Sequence, residues 1–244
     1  MISSNLTQPI KPIVYKLTKD DSRKICSFII PYNKAGSLQL EIKKHNNGFG
    51  CDFVTELKNK FGKLLGFEEF AFFENAKNIS GLYIKVNEEY QRKGYNLGEI
   101  LRLSSIIEII ENKIKNFNIV SKSTAIYFHS KYKFEPNISV FKQRDYFLQK
   151  IAENNNEDFK SFSAKAKKII SGVNSDSSPE AQRAYCKETN KLLKEYLRKI
   201  ISEKAQKQYP FDTPLEMTLT DKSILDNKKF FNDLFNKHGI DYKI

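Results

Sequence analysis

The spacing of apolar residues changes once along this chain, and that change limits the folds open to it. Up to about Val86 the apolar residues occur in short β-branched or alternating runs between turn residues, such as Ile25–Ile30 and Leu38–Ile42. From Leu97 onward they recur every three to four residues. Alternation is typical of strands, and a spacing of three to four is typical of amphipathic helices. The sequence therefore predicts a sheet followed by helices, in the α+β or mixed α/β class.

A hairpin is predicted immediately before the change in spacing. Residues 62–73 and 79–86 have the pattern of its two strands, and residues 74–78 that of its turn. One alternating set of the second strand is more apolar than the other, so we expect it to face the core. This set is Ser80, Leu82, Ile84 and Val86. A further strand is predicted near the start of the chain, at Ile13–Leu17.

Helices and two short strands are predicted after the change. The region from Leu97 to Ile114 has the spacing of an amphipathic helix. The next elements are a strand near Asn118–Val120, a helix from Ser123 or Thr124 to about Tyr132, and, much later, a strand at Leu215–Leu219.

Residues 143–208 are predicted to be almost wholly helical. One helix should stop at Gly172, because glycine commonly ends helices. The next should begin at Pro179 with Ser178 as its N-cap, since proline suits the first helical position.

A last helix, capped by Thr220 or Asp221, is predicted to end at Gly239. The predicted organisation is a core over residues 1–142, a helical insertion over residues 143–210, and a closing strand and helix of the core over residues 211–244.

The chain is strongly basic, with a net charge of +12 from 41 basic and 29 acidic residues. Such a surface attracts polyanions, whether nucleic acid, anionic lipid or a phosphorylated cofactor. The lysines are scattered through the sequence, which argues against dedicated nucleic-acid binding.

The cysteines and the N-terminal residues bear on location. Cys26, Cys51 and Cys186 lie far apart, without a CxxC motif. We therefore expect no disulfide framework and no metal site, as in a cytoplasmic protein. We expect no signal peptide, because the N-terminal residues lack a basic region followed by an apolar run. We expect no membrane span, because no stretch approaches about 18 apolar residues.

The most informative segment runs from Val86 to Leu101. A predicted strand leads into a basic loop that contains Gly94, and a long helix follows directly. The first N–H groups of a helix have no partner within it and lie at the positive end of its dipole, so they suit a pyrophosphate. Gly94 would let phosphate oxygens approach the backbone, and Arg92 and Lys93 would add charge. The segment is neither a P-loop nor a GxGxxG motif.

The order of these residues resembles the GCN5-related N-acetyltransferases. In that family a strand and an aromatic residue precede Gln/Arg-x-x-Gly-x-Gly/Ala at the start of a helix. Gln91 stands at the first position of this pattern, Gly94 at the central glycine, and Asn96 where Gly or Ala is usual. Asn tolerates a left-handed backbone better than most residues.

A second segment, Ala125–Phe134, is similar to the family's final signature, Ala-x-x-Leu-Tyr-x-x-x-Gly-Phe. Its first residue, Phe128 and Phe134 fit this pattern, and Lys133 stands in place of the glycine. His129 occupies the place of the Tyr that protonates the departing coenzyme A thiolate in many members.

The resemblance covers roughly Lys63 to Phe134 and implies an acyl-coenzyme A N-acyltransferase-like fold. This fold has a central mixed, mostly antiparallel sheet flanked by helices. The pantetheine arm of acetyl-coenzyme A bonds backbone groups of one strand there, in the manner of an added strand. The cofactor-binding residues implied are Ile84, Lys85, Val86, Gln91, Arg92, Lys93, Gly94, Tyr95, Asn96, Leu97 and Gly98.

The activity implied is transfer of an acetyl group from acetyl-coenzyme A to an amine, of a small molecule or a protein. By resemblance, the N–H of Val86 would hold the oxyanion. Glu88 or Glu89 would be the general base, or else a solvated loop carboxylate. His129 would donate the proton to the thiolate, or else pack or cap its helix, and Tyr127 is a second candidate donor.

Two other functions stay open from the sequence. The domain could bind acyl-coenzyme A or another protein without catalysis, or it could be a basic nucleic-acid-associated protein. The family's two helices between its first two strands are not predicted, because residues 13–59 have mainly the pattern of strands. Residues 143–210 could replace these helices as the acceptor wall, or could bind a partner.

Overall fold

The computed structural model describes residues 24–32, 36–46, 51–59, 61–73, 77–91, 94–139, 141–175, 178–205, 209–240 and 242–244. The strand predicted at Ile13–Leu17 lies outside these residues, as do Arg92 and Lys93. The described chain forms two compact units. The first contains the residues up to Phe117 together with Thr220–Ile244, and the second is Asn118–Leu219. The boundaries predicted at 142 and 210 stay a prediction.

The sheet of the first unit is an antiparallel meander. Its strands are β1 (Lys24–Tyr32), β2 (Gly36–Asn46), β3 (Cys51–Asn59), β4 (Leu64–Phe73) and β5 (Asn78–Val86), and each pairs with the next. The β3–β4 turn is built by Asn59, whose side-chain oxygen accepts hydrogen bonds from the backbone N–H groups of Phe61 and Lys63. Gly62 takes a positive φ of 80° there. The predicted hairpin is therefore confirmed as β4 and β5.

The face of β5 predicted to be buried is wrong in part. Gly81 pairs with Phe70 and Tyr83 pairs with Glu69, so Leu82 is an extra residue that has no partner on β4. Such a bulge reverses the alternation of side chains on either side of it. Ile79 is consequently fully buried, whereas Leu82 is 59% exposed.

Helix α1 (Leu97–Glu111) packs on β3, β4 and β5 and forms the core of the first unit with them. Its side chains from Leu97 to Ile109 are almost all buried, and the rings of Phe53 and Phe70 stack at 5.1 Å on the sheet. The helix ends at Glu111, three residues before the predicted Ile114. The next residue, Asn112, donates a side-chain hydrogen bond to the Glu108 carbonyl oxygen at 2.9 Å.

The last predicted helix is two helices, α6 (Asp221–Asp226) and α7 (Lys228–Lys237). The predicted cap is confirmed, because the Thr220 hydroxyl accepts a hydrogen bond from the Ser223 N–H at 3.0 Å. The break falls at Asn227, whose side chain donates to the Ser223 carbonyl oxygen and whose backbone leaves the helical region. Phe231 and Phe235 bury one face of α7.

The second unit combines three strands with a helical bundle. Its strands lie in the order β6 (Asn116–Ser121), β8 (Leu215–Thr220) and β7 (Glu135–Pro136), and the unit boundaries cut β6 and β8. Its helices are α2 (Ile126–Lys131), α3 (Phe141–Ala152), α4 (Lys160–Ser175) and α5 (Pro179–Ser202). The predicted α+β class, with a mostly antiparallel sheet and flanking helices, is confirmed.

Local chemistry explains where the predictions for these helices hold and where they fail. Ser178 caps α5 through the N–H of Ala181 and Pro179 opens the helix, as predicted. Helix α4 does not stop at Gly172. This glycine lets the ring of Tyr185 approach, because an added Cβ would lie 3.3 Å from Cε1 of that ring.

Two findings concern only the described part of the chain. None of its helices combines the length and the apolar character that a bilayer crossing requires. Its His, Cys, Asp and Glu side chains form no group of three or more that could hold a metal ion.

Candidate functional site

Hydrogen bonds of Asn87 and Gln91 fix the loop between β5 and α1. The N–H of Asn87 bonds to the Leu65 carbonyl oxygen at 2.9 Å, and its side chain to that of Leu64 at 2.6 Å. Gln91 donates from Nε2 to the carbonyl oxygen of Val86 at 2.6 Å. The predicted cofactor residues Gln91 and Val86 are therefore in direct contact.

The loop then reaches α1 through two left-handed residues. Gly94 has a φ of 75° and Asn96 a φ of 53°. A Cβ placed on Gly94 would meet nothing within 4 Å, so the space directly beside it is open. Both residues thus turn the backbone, and room for a ligand remains next to Gly94.

The start of α1 is not capped by its own N-cap side chain. Asn96 occupies the N-cap position, but its amide nitrogen lies 3.3 Å from the Gly94 carbonyl oxygen and its side chain caps no helical N–H. The N–H groups of Glu99 and Ile100 bond to the Asn96 carbonyl oxygen. By helix geometry the N–H groups of Leu97 and Gly98 have no carbonyl partner within the helix, so they can bind an anion.

The end of β5 is held close to β4. Val86 pairs with Gly66, Lys85 with Phe67, and Ile84 with Glu68. A Cβ on Gly66 would lie 2.7 Å from the Lys85 carbonyl oxygen, so this close approach requires glycine. The three predicted pantetheine-binding residues therefore lie on one fixed stretch of strand.

A charged and aromatic cluster flanks the loop. Lys63 forms an ion pair with Glu89 at 2.7 Å, and its ammonium nitrogen lies 5.5 Å from the centre of the Tyr90 ring. The hydrogen bond with Glu89 is the main cause that raises the pKa of Lys63. Tyr90 meets Tyr95 edge to face at 6.1 Å. Both predicted bases are exposed to solvent, and Glu89 is also ion-paired.

Beneath the strand lies an ion pair that sequence reasoning missed. Glu68 of β4 accepts hydrogen bonds from Arg102 at 2.8 Å and from Ser105 at 2.7 Å, and all three side chains are buried. Burial raises the pKa of Glu68, while Arg102 and Ser105 oppose that rise. The available signal was a charged residue on the buried face of each element. Breaking such a pair from one side is strongly destabilising, so it fixes α1 on the sheet.

A second buried carboxylate, also missed, lies in the first turn of α1. Glu99 is 3% exposed, and its Oε1 lies 2.6 Å from Nζ of Lys237 and 2.5 Å from Nε2 of His238. Both partners come from the C-terminal end of α7.

The two predicted proton donors lie in the second unit. His129 is 5% exposed, and its ring meets those of Phe128 at 5.2 Å and Phe134 at 5.6 Å. Its carbonyl oxygen accepts the N–H groups of Tyr132 and Phe134, which ends α2. Tyr127 is half-buried. The role of either side chain as a proton donor stays a prediction.

Comparison with known proteins gives only structural matches. No protein-family model and no curated protein matches the chain. The match to Tetrahymena GCN5 covers 36% of this chain and 54% of that protein, with 13% identity and a TM-score of 0.33. A GNAT family acetyltransferase from Elizabethkingia anophelis with acetyl-CoA bound matches 41% of this chain over 78% of its own, with 15% identity and a TM-score of 0.34. The match to the PaiA N-acetyltransferase from Thermoplasma acidophilum, in complex with coenzyme A, covers 36% of this chain and 55% of that protein. The identity is 18% and the TM-score is 0.32.

The chain resembles the GCN5-related N-acetyltransferases. Two of these structures are of the family that the two sequence segments resemble. The chain spans only a little over half of the Tetrahymena and Thermoplasma proteins, and the TM-scores are those of partial likeness.

The two departures from the family pattern keep the backbone that glycine would give. Asn96 replaces Gly or Ala and Lys133 replaces Gly, and their φ angles are 53° and 69°. Only glycine adopts such angles routinely, and asparagine does so occasionally. Both positions therefore form left-handed turns in this chain, with side chains other than glycine.

The helical segment of the second unit contains a groove of about 460 Å³ between α4 and α5. Its floor is apolar and its rim carries charges of both signs. The lining residues are Lys165, Lys168, Ile169, Gly172, Tyr185, Glu188, Lys191, Leu192 and Glu195. The family residues predicted from the sequence do not include any of these, and their role in acceptor or partner binding stays a prediction.

Proposed function

We propose that this protein is an N-acetyltransferase that transfers an acetyl group from acetyl-coenzyme A to an amine of a small molecule or a protein. The observation that carries the proposal is the uncapped start of α1, which follows directly on the fixed end of β5. The left-handed turn at Gly94 and Asn96 leads the chain into that helix. A pyrophosphate at the N–H groups of Leu97 and Gly98 would continue into a pantetheine arm along Ile84–Val86.

The reaction needs positioning more than it needs reactive side chains. The amine nitrogen attacks the thioester carbonyl carbon, the carbon–sulfur bond breaks, the amine loses a proton, and the thiolate gains one. The backbone N–H of Val86 would stabilise the oxyanion, in the role that the family resemblance gives it. Holding the two reactants in place supplies much of the remaining rate.

Proton transfer has named candidates in each unit. Glu88 and Glu89 are both exposed and suit the removal of a proton through water, and Glu89 is also ion-paired with Lys63. His129 or Tyr127 would protonate the leaving thiolate. We place the reaction in the cytoplasm, where acetyl-coenzyme A would serve as co-substrate.

Titration calorimetry with acetyl-coenzyme A tests the proposal directly. We expect saturable binding by the unmodified chain, and no heat at millimolar cofactor would contradict it. Gly94→Trp should abolish binding, because its side chain fills the open space beside the loop. Gly94→Asn is the matched control, since asparagine accepts the positive φ with a small side chain. Circular dichroism of both variants should match that of the unmodified protein.

The alternative within the same fold is a protein that binds acyl-coenzyme A without turnover. The burial of His129 in an aromatic cluster is the observation that favours it. Tight coenzyme A binding without product over a panel of small amines and lysine-rich proteins would support this alternative.

A further inference from the structure

A buried carboxylate lies in the first turn of α1, where it would repel a bound phosphate. Glu99 is the third residue of α1, in the turn whose N–H groups would hold the pyrophosphate. It is 3% exposed, so little water screens its charge. Alone, an ionised carboxylate at this position would weaken the binding of any second anion.

The structure supplies this carboxylate with two partners, the ammonium of a lysine and the imidazole of a histidine. Lys237 and His238 both approach Oε1 of Glu99, at 2.6 Å and 2.5 Å. They are the last residue of α7 and its C-cap, at the negative end of that helix dipole, where cations are favoured. The imidazole is buried, whereas the Lys237 side chain is 49% exposed.

We propose that Lys237 and His238 are positioning residues of the cofactor site. The Lys237 ammonium neutralises Glu99, His238 contacts the same carboxylate oxygen, and the start of α1 thereby stays attractive to a diphosphate. This inference rests on the proposed function, since it concerns the same turn of α1. Lys237 acts through Glu99 and needs no contact of its own with the ligand. The ligand class is a diphosphate ester, and the coenzyme A pyrophosphate is the case proposed here.

A double-mutant cycle separates this role from direct phosphate binding. We expect Lys237→Met to weaken the binding of coenzyme A, measured by calorimetry, by about tenfold, within the range of couplings between neighbouring charges. Glu99→Gln alone should leave the affinity equal or increase it. The double variant should recover the affinity of Glu99→Gln, because the uncompensated charge is gone. If the double variant stays as weak as Lys237→Met, the lysine contacts the phosphate itself and the inference is overturned.

A matched control removes the effect of total charge. Lys222 pairs with Asp226 within α6 at 2.7 Å, so Lys222→Met makes the same change in net charge away from this cluster. The affinity of Lys222→Met for coenzyme A should equal that of the unmodified protein. An equal loss of affinity in Lys222→Met and Lys237→Met would overturn the inference. Lys237→Arg keeps the charge and should keep the affinity, with thermal melts to verify that each variant is folded.

Inorganic pyrophosphate as a second probe separates this inference from the proposed function. Binding of pyrophosphate with the expected cycle, but no binding of coenzyme A, would overturn the function and support the inference. Binding of coenzyme A with no effect of Lys237→Met would do the reverse. Failure of both ligands to bind would overturn both.

Discussion

Lys133 has a left-handed backbone, which glycine adopts without strain. Its φ is 69°, which costs a residue with a Cβ about 1–2 kcal/mol. Burial and the nearby charge of Arg198 also lower its pKa. The backbone of Lys133 is therefore strained, and its ammonium group is partly buried close to another positive charge.

We expect Lys133→Gly to raise the free energy of unfolding by about 1 kcal/mol, because glycine adopts this φ without strain. Denaturant titration measures the change. The control is Lys167→Gly, an exposed position inside α4, which should lower the stability by about 1 kcal/mol. Equal losses in both variants would mean that the φ of Lys133 carries no strain.

One substitution at His129 decides between its two possible roles, proton donor and packing residue. If its imidazole protonates the thiolate, His129→Phe should lower kcat by about a hundredfold or more, with the affinity for acetyl-coenzyme A unchanged. Phenylalanine suits the surrounding rings of Phe128 and Phe134, so the fold should persist.

Tyr127→Phe removes only a hydroxyl from the same helix and is the control for this experiment. Steady-state kinetics should show little change in it. A loss of rate in Tyr127→Phe alone would identify Tyr127 as the proton donor. No loss in either variant would leave the positioning of the reactants as the source of the rate.

Individual residues were predictable from the sequence where they act locally. Gly94 and Asn96 were identified because a turn before a helix depends on a few neighbouring residues. The pairing of Glu99 with Lys237 was not predictable, because it joins positions 138 apart in the chain. No periodic pattern relates residues at such a distance.

At the scale of elements, spacing fixed the order of strands and helices, and exceptions came from contacts between elements. Ser178 and Pro179 marked the start of α5 correctly because a cap is a local arrangement. The bulge at Leu82 escaped prediction, since it depends on the register with β4. Gly172 was read as the end of a helix, whereas it makes room for a ring on another helix.

Gly172→Ala tests that interpretation of the contact between α4 and α5. Alanine favours a helix by about 1 kcal/mol, but its Cβ would crowd the Tyr185 ring and strain the hydrogen bond from that hydroxyl to the Gly172 carbonyl oxygen. We expect a net loss of about 1 kcal/mol in the free energy of unfolding. In a Tyr185→Ala background the same substitution should instead stabilise by about 1 kcal/mol. A gain in both backgrounds would contradict the contact.

At the scale of the whole molecule, the positive charge is less evenly spread than the sequence indicated. Helix α4 contains four lysines and no acidic residue, and α5 contains six basic and three acidic residues. These two helices therefore hold more than half of the net charge of +12. A polyanion would meet its strongest attraction there.

We expect the chain to bind heparin, with an elution that depends on salt through counterion release. The double substitution of Lys167 and Lys168 by Glu should lower the salt concentration of elution more than the same substitution of Lys228 and Lys229 on α7. Equal shifts in the two variants would show that only total charge matters. Retention that persists at high salt would point to contacts other than charge.

The pairing of Glu99 with the end of α7 also has a consequence for synthesis on the ribosome. Glu99 leaves the exit tunnel 138 residues before Lys237 does. At the usual speed of translation this interval lasts on the order of ten seconds, far longer than a helix takes to form. During that time the nascent α1 lacks the Lys237 ammonium that lies beside its carboxylate in the folded protein. Completion of the diphosphate site must therefore wait until α7 has been translated, even though every residue of the loop itself emerged much earlier.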